Sequence, residues 1–125
     1  MAKKYEDCSE AERLAYVDAY FATGDLLTDA LFKFDLLATD APTIALRSHY
    51  RAQALTAQRE HELLKNKRRA FRSGIAKVNP PSKQAVDAAV KRTEKLAAII
   101  ASQATANAII DLVTKGLESF AKIQA

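Results

Sequence analysis

Apolar residues recur every three or four positions along most of this chain, a period typical of amphipathic helices rather than of strands. Two breaks interrupt the pattern, the TDAP segment at 39–42 and a longer segment at 73–82 that contains SG and NPPS. Paired prolines end a helix because each disfavours helical geometry in the residue before it. The pattern therefore predicts three helices, over about residues 9–38, 42–76 and 81–123.

Local signals refine the first of these helices. Ser9 is followed three residues later by Glu12, the spacing of a capping box that starts a helix. Gly24 leaves two alternatives, a helix that continues through it or a break after which Asp25 caps a new helix. The continuous helix is favoured because the apolar spacing keeps its phase across Gly24.

The predicted fold is an all-α bundle of three long helices in an up-down-up order, forming one domain over residues 1–125. Helices 1 and 2 are expected to form an antiparallel hairpin, because only a short break joins them. Helix 3 is the longest and, at 1.5 Å per residue, would measure roughly 60 Å. It is therefore expected to project beyond the other two.

The third helix carries a coiled-coil-like line of apolar residues at alternating steps of three and four. We expect this line to mediate self-association or to bind a protein partner, with a dimer as the simplest closed form. Its principal positions are Leu96, Ile99, Gln103, Ile110, Val113, Leu117 and Phe120.

Gln103 is the polar member of that line, and it has two interpretations of equal weight. A buried amide needs a hydrogen-bonding partner, so Gln103 either fixes the register of an oligomer or bonds a neighbouring helix within one chain.

Charge is distributed unevenly. The chain has 19 Lys and Arg against 15 Asp and Glu, for a net charge of +4. Residues 1–42 carry a net charge of −5, residues 43–84 carry +8, and residues 85–125 carry +1. The first helix is thus acidic and the second is basic.

This asymmetry allows more than one interpretation. In the favoured one, an antiparallel hairpin sets the acids of helix 1 against the bases of helix 2, for example Asp35 against Arg47 and Asp29 against Arg51. In the second, the basic end of helix 2 binds nucleic acid or another polyanion through phosphate contacts. In a third interpretation, the basic end of helix 2 binds an acidic protein partner. The candidate anion-binding residues are Lys65, Lys67, Arg68, Arg69 and Arg72.

No constellation of residues points to catalysis, a metal or a cofactor. His49 and His61 are too far apart to share one helical face as a ligand pair. Cys8 is the single cysteine, and its acidic neighbours are expected to suppress the thiolate. The longest uncharged run, at 96–110, is too short and too polar to span a membrane, and a cytoplasmic location is expected.

The sequence therefore favours a non-enzymatic helical interaction protein, such as an adaptor, inhibitor, chaperone-like binder or assembly subunit, that acts through protein–protein contacts of helix 3. The alternative is a nucleic-acid-binding module that uses the basic end of helix 2.

Overall fold

The computed structural model describes residues 1–124 and confirms an all-helical fold. The expected count of three helices is wrong, because over these residues the chain forms four. They are α1 (Glu10–Asp40), α2 (Ile44–Arg72), α3 (Lys83–Ala98) and α4 (Ala106–Ala121), with short 3₁₀ turns at Tyr5–Asp7 and Gln103–Thr105.

The beginning of α1 is the predicted capping box. The Ser9 hydroxyl accepts a hydrogen bond from the backbone N–H of Glu12 at 3.1 Å, and the Glu12 carboxylate accepts one from the N–H of Ser9 at 2.9 Å. Lys3 donates to the same carboxylate at 3.0 Å. The helix then runs without interruption through Gly24, which confirms the favoured alternative.

The second helix starts slightly later and ends earlier than predicted. Thr43 is its N-cap, and its hydroxyl accepts from the N–H of Leu46 at 3.2 Å, so Pro42 lies before the helix rather than in its first turn. The connection after Asp40 is therefore centred near residue 42. Aromatic contacts confirm the antiparallel hairpin, since Tyr16 near the start of α1 packs on Phe71 near the end of α2, with ring centroids 4.6 Å apart.

The predicted third helix is two helices, and this is the main correction to the fold. Ile99 caps α3 in an extended conformation, and Ser102 adopts extended geometry before the next turn. The N–H of Ser102 donates to the Thr105 hydroxyl, which itself donates to the carbonyl of Ile100 at 2.9 Å. Such side-chain hydrogen bonds satisfy backbone groups that lie outside a helix. The two residues that follow α3, Ile99 and Ile100, are also β-branched and disfavour helical geometry.

After this break α4 folds back beside α3, and both pack against α1. The Thr93 hydroxyl donates to the carbonyl of Ala22 at 2.7 Å, joining α3 to α1. The Arg92 guanidinium donates to the Ser119 hydroxyl at 2.9 Å, joining α3 to α4. The expected single projecting rod is therefore replaced by a helical pair covering one side of α1.

Three extended segments form a clamp at one end of the bundle. Lys3 and Val78 exchange two backbone hydrogen bonds of 2.8 and 2.9 Å, and the N–H of Asn79 donates to the carbonyl of Ile123 at 2.6 Å. The clamp brings together the start of α1, the end of α2, the start of α3 and the end of α4. Successive helices therefore run in opposite directions, and the expected up-down-up order becomes up-down-up-down.

Gly116 allows α4 to pack closely against α1. A Cβ at this position would collide with the side chain of Leu26, which is itself fully buried. We expect Gly116→Ala to lower the free energy of unfolding by about 1 kcal/mol, because overpacking outweighs the gain in helix propensity. Urea denaturation followed by circular dichroism measures the difference.

Gly24→Ala is the matched control, since Gly24 also lies within a helix. A Cβ there would meet the His61 imidazole at 3.4 Å, an ordinary contact distance. This variant is expected to keep or raise stability. Equal effects at the two glycines would show that α1 and α4 are not closely packed.

The capping box also predicts a pH dependence. The hydrogen bond from the N–H of Ser9, reinforced by Lys3, lowers the pKa of Glu12 below its usual 4.5. A lowered pKa stabilises the folded state above pH 4.5, and the contribution is lost as the pH falls through the folded-state value. Glu12→Gln is therefore expected to destabilise the protein at pH 7 but much less at pH 3, as measured by urea denaturation at each pH. A difference that does not change with pH would contradict this role.

Candidate functional site

A groove of about 520 Å³ lies where the beginning of α1 meets the end of α2. We call it the arginine groove, because three of its lining residues are arginines from both helices. Glu10 supplies one carboxylate at its edge. Its basic and aromatic lining residues are Tyr5, Arg13, Tyr16, Arg68, Phe71 and Arg72.

Aromatic packing builds the floor of the arginine groove. Phe71 is fully buried and packs against Tyr16 at 4.6 Å and against the edge of Tyr5 at 5.3 Å. The Arg13 guanidinium stacks over the Tyr5 ring, 4.2 Å from its centroid, and its Nε donates to the Tyr5 carbonyl at 2.9 Å. Arg13 is therefore held in place before any ligand arrives.

Arg68 is the central arginine of the groove. Its guanidinium carbon lies 4.8 Å from the Tyr20 ring centroid and 5.4 Å from that of Phe21. Its Nε is buried, yet it has no hydrogen-bond partner among the described residues. A buried N–H donor without an acceptor is costly. The rest of the Arg68 guanidinium lines the groove, where its other N–H groups can meet an anion.

A second groove, of about 400 Å³, adjoins the first and shares Arg68 and Arg72 with it. Lys65 and Arg69 complete its basic lining. Four of the five candidate anion-binding residues, Lys65, Arg68, Arg69 and Arg72, therefore form one continuous surface, which we call the basic surface. The fifth, Lys67, points to the other side of α2 and lines a groove towards α4.

The ion pairs that were expected between the first two helices do not form. Among residues 1–124 the ion pairs are Lys3–Glu12, Lys33–Asp29 and Lys65–Glu62, and none joins α1 to α2. The interface between these helices is filled instead by small and aromatic side chains such as Ala54, Ala57 and Tyr20. The positive charge near the end of α2 is thus left largely uncompensated by direct pairing.

The apolar line predicted on the third helix is divided between core and surface. Leu96, Val113 and Phe120 are buried within the chain's own fold. Ile99, Ile110 and Leu117 are half-buried, whereas Gln103 is exposed in the turn before α4. Only part of this line is therefore accessible to a partner.

One accessible member of the line, Leu117, lies in a groove between α2 and α4. This α2/α4 groove has a volume of about 300 Å³ and an apolar floor of Leu64, Leu117 and Phe120. Lys67 on α2 and Glu118 on α4 stand on opposite rims, and both are exposed. The α2/α4 groove is open because α2 packs mainly against α1 and makes few contacts with α4.

The titratable residues outside these grooves offer little chemistry. His61 is half-buried against Gly24, at the edge of the core. Cys8 is buried, and burial, followed by the charge of Glu12, raises the pKa of its thiol. Within residues 1–124 no three His, Cys, Asp or Glu side chains are grouped to hold a metal ion. None of the described helices is long and apolar enough to cross a membrane.

Two residues at or beside this site, Arg13 and Phe21, were missed from the sequence. Arg13 lies in the first segment, whose net charge is negative, so it was not considered as an anion-binding residue. The signal was the predicted antiparallel hairpin, which brings residues near 13 beside residues near 72. Phe21 is one of six aromatic residues in or just before the first helix that the sequence predicts to anchor the core, but its side chain is 51% exposed. The helical phase of Phe21 was the signal that marked it as solvent-facing.

Comparisons of the chain with protein-family models, with curated proteins and with solved structures find no match.

Proposed function

We propose that this protein is a non-enzymatic binding protein that binds nucleic acid through phosphate contacts at the arginine groove and the adjoining basic surface. The observation that carries the proposal is the convergence of Arg13, Arg68 and Arg72 on one groove. A cytoplasmic location stays part of the proposal, because nucleic acid is present there.

Guanidinium groups suit this task better than other cations. Each presents a planar set of N–H donors that matches two phosphate oxygens, and Arg13 is already oriented by Tyr5. Less conformational entropy is then lost on binding. The contacts are to phosphate, so the proposal predicts binding without strong sequence preference.

The absence of an enzymatic role is also part of the proposal. The thiol of Cys8 is buried and has a raised pKa, which opposes nucleophilic catalysis. His61 packs against the helix backbone at Gly24 and lies apart from the arginine groove. The groove itself offers cations and aromatic rings but only one carboxylate, that of Glu10.

The proposal predicts salt-dependent binding that relies on exposed arginines. Arg69→Ala with Arg72→Ala is expected to weaken binding of a fluorescent oligonucleotide at least tenfold at low salt. The slope of log K against log salt should become shallower by about 0.7 to 0.9 for each phosphate that the variant no longer neutralises. Fluorescence anisotropy over a salt titration measures both quantities.

Lys91→Ala with Lys95→Ala is the matched control, because it removes two exposed positive charges from α3. It is expected to change affinity only slightly. No binding by the parent at low salt, or equal losses of affinity in both double variants, would refute a site at the arginine groove.

We propose, as a second candidate function, protein–protein contact through the later part of the predicted third helix. The half-buried Ile110 and Leu117 on α4, and the α2/α4 groove beside Leu117, favour it. The occupant we propose is a second copy of the chain. A two-fold axis along the groove would set Lys67 of each copy opposite Glu118 of the other, so that charges pair twice.

This second candidate predicts a dimer at micromolar concentration that Leu117→Asp dissociates, because a carboxylate would be buried in the contact. Val90→Asp is the control, since Val90 is an exposed apolar residue on α3 outside the groove. Sedimentation velocity distinguishes the two species, with circular dichroism to confirm folding. A parent that remains monomeric throughout the concentration series would exclude this candidate.

A further inference from the structure

Phe21 is a large aromatic residue that the fold leaves in solvent beside the basic surface. Its side chain is 51% exposed, in the middle of α1. Tyr20 supports it from one side, with ring centroids 5.3 Å apart and the rings nearly perpendicular at 71°. Arg68 of the basic surface approaches the same ring, at 5.4 Å from its centroid.

This arrangement places an aromatic platform next to a row of phosphate-binding cations. Lys65, Arg68 and Arg69 of α2 line one groove together with Tyr20, the residue before Phe21, and Arg68 also lies over the Phe21 ring. Proteins that bind single strands combine a basic surface that follows the backbone with aromatic rings on which bases stack. Phe21 gives such a stack an accessible ring, and the neighbouring arginine contributes a cation–π interaction.

A duplex fits the same surface poorly. Its bases are already stacked and paired, so a side chain on a helix surface has no base face to meet. Asp18 and Asp25 lie one turn before and one turn after Phe21 on α1, and both are exposed. Their carboxylates would repel the phosphates of a second strand lying across α1, whereas a single strand can follow α2.

We infer that the ligand is single-stranded nucleic acid, with one base stacked on Phe21 and the adjacent phosphates bound by Lys65, Arg68 and Arg69. The inference rests on the proposed function, since it specifies which nucleic acid occupies the same site. It holds for RNA and DNA alike, because stacking and phosphate contacts are common to both.

One experiment tests whether affinity depends on the strandedness of the nucleic acid and on the Phe21 ring. Fluorescence anisotropy with the full chain would measure binding of single-stranded DNA, single-stranded RNA and duplex DNA, each about 12 nucleotides long, within the span typical of such surfaces. We expect single strands to bind at least tenfold more tightly than the duplex. Phe21→Ala should weaken single-strand binding roughly tenfold, as loss of one stacked base does, and leave the weak duplex binding unchanged.

Phe32→Ala is the matched control, since Phe32 is 60% exposed on the same face of α1 but lies three helical turns further on. It is expected to leave single-strand binding unchanged, and Phe21→Tyr is expected to retain it. Equal affinity for duplex and single strands, with no effect of Phe21→Ala, would overturn this inference and leave the proposed function standing. Failure of every oligonucleotide to bind at low salt would overturn both.

Discussion

The packing around α1 is the constraint on which the rest of this structure depends. Apolar side chains lie on more than one side of this helix, so one face is covered by α2 and another by α3 and α4, while a third face stays in solvent. Leu27, Ala30 and Phe34 are completely buried as a result. An isolated 31-residue helix with this composition would expose too much apolar surface, and the other three helices fold around it to remove that surface from water.

The same packing creates the arginine groove. Tyr16 of α1 contacts Phe71 of α2 and, with ring centroids 5.9 Å apart, Phe120 of α4. This aromatic cluster fixes the end of α2 against the beginning of α1, and Arg13 and Arg68 project from these two elements beside it. Core and candidate site are therefore mechanically linked, because the rings that hold the helices together also hold the cations in place.

The charges of α1 and α2 do not form the ion pairs between the helices that their distribution along the chain suggested. The acids of α1 and the bases of α2 are segregated, but the helices meet through small and aromatic residues and the charges stay at the edges. Long charged side chains at exposed edges gain little from pairing, because each pair must be partly desolvated and immobilised. The uncompensated basic surface is a consequence of that geometry, and it lies beside the exposed ring of Phe21.

The helical class, the capping box at Ser9, continuity through Gly24 and the location of basic charge near Arg68 were all predictable from local sequence. Each depends on residues within a few turns of one another, where periodicity and side-chain hydrogen bonding dominate. The break at Ser102 was not predicted, because no proline or glycine marks it. It is stabilised by hydrogen bonds of the Thr105 hydroxyl with the backbone N–H and the hydroxyl of Ser102. Tertiary structure alone decided that α4 folds back against α1 and that Arg13 lines the arginine groove. It also decided that no ion pair joins α1 to α2 in the described residues. These outcomes depend on contacts between residues distant in the chain, whose register is set by core packing rather than by local pattern.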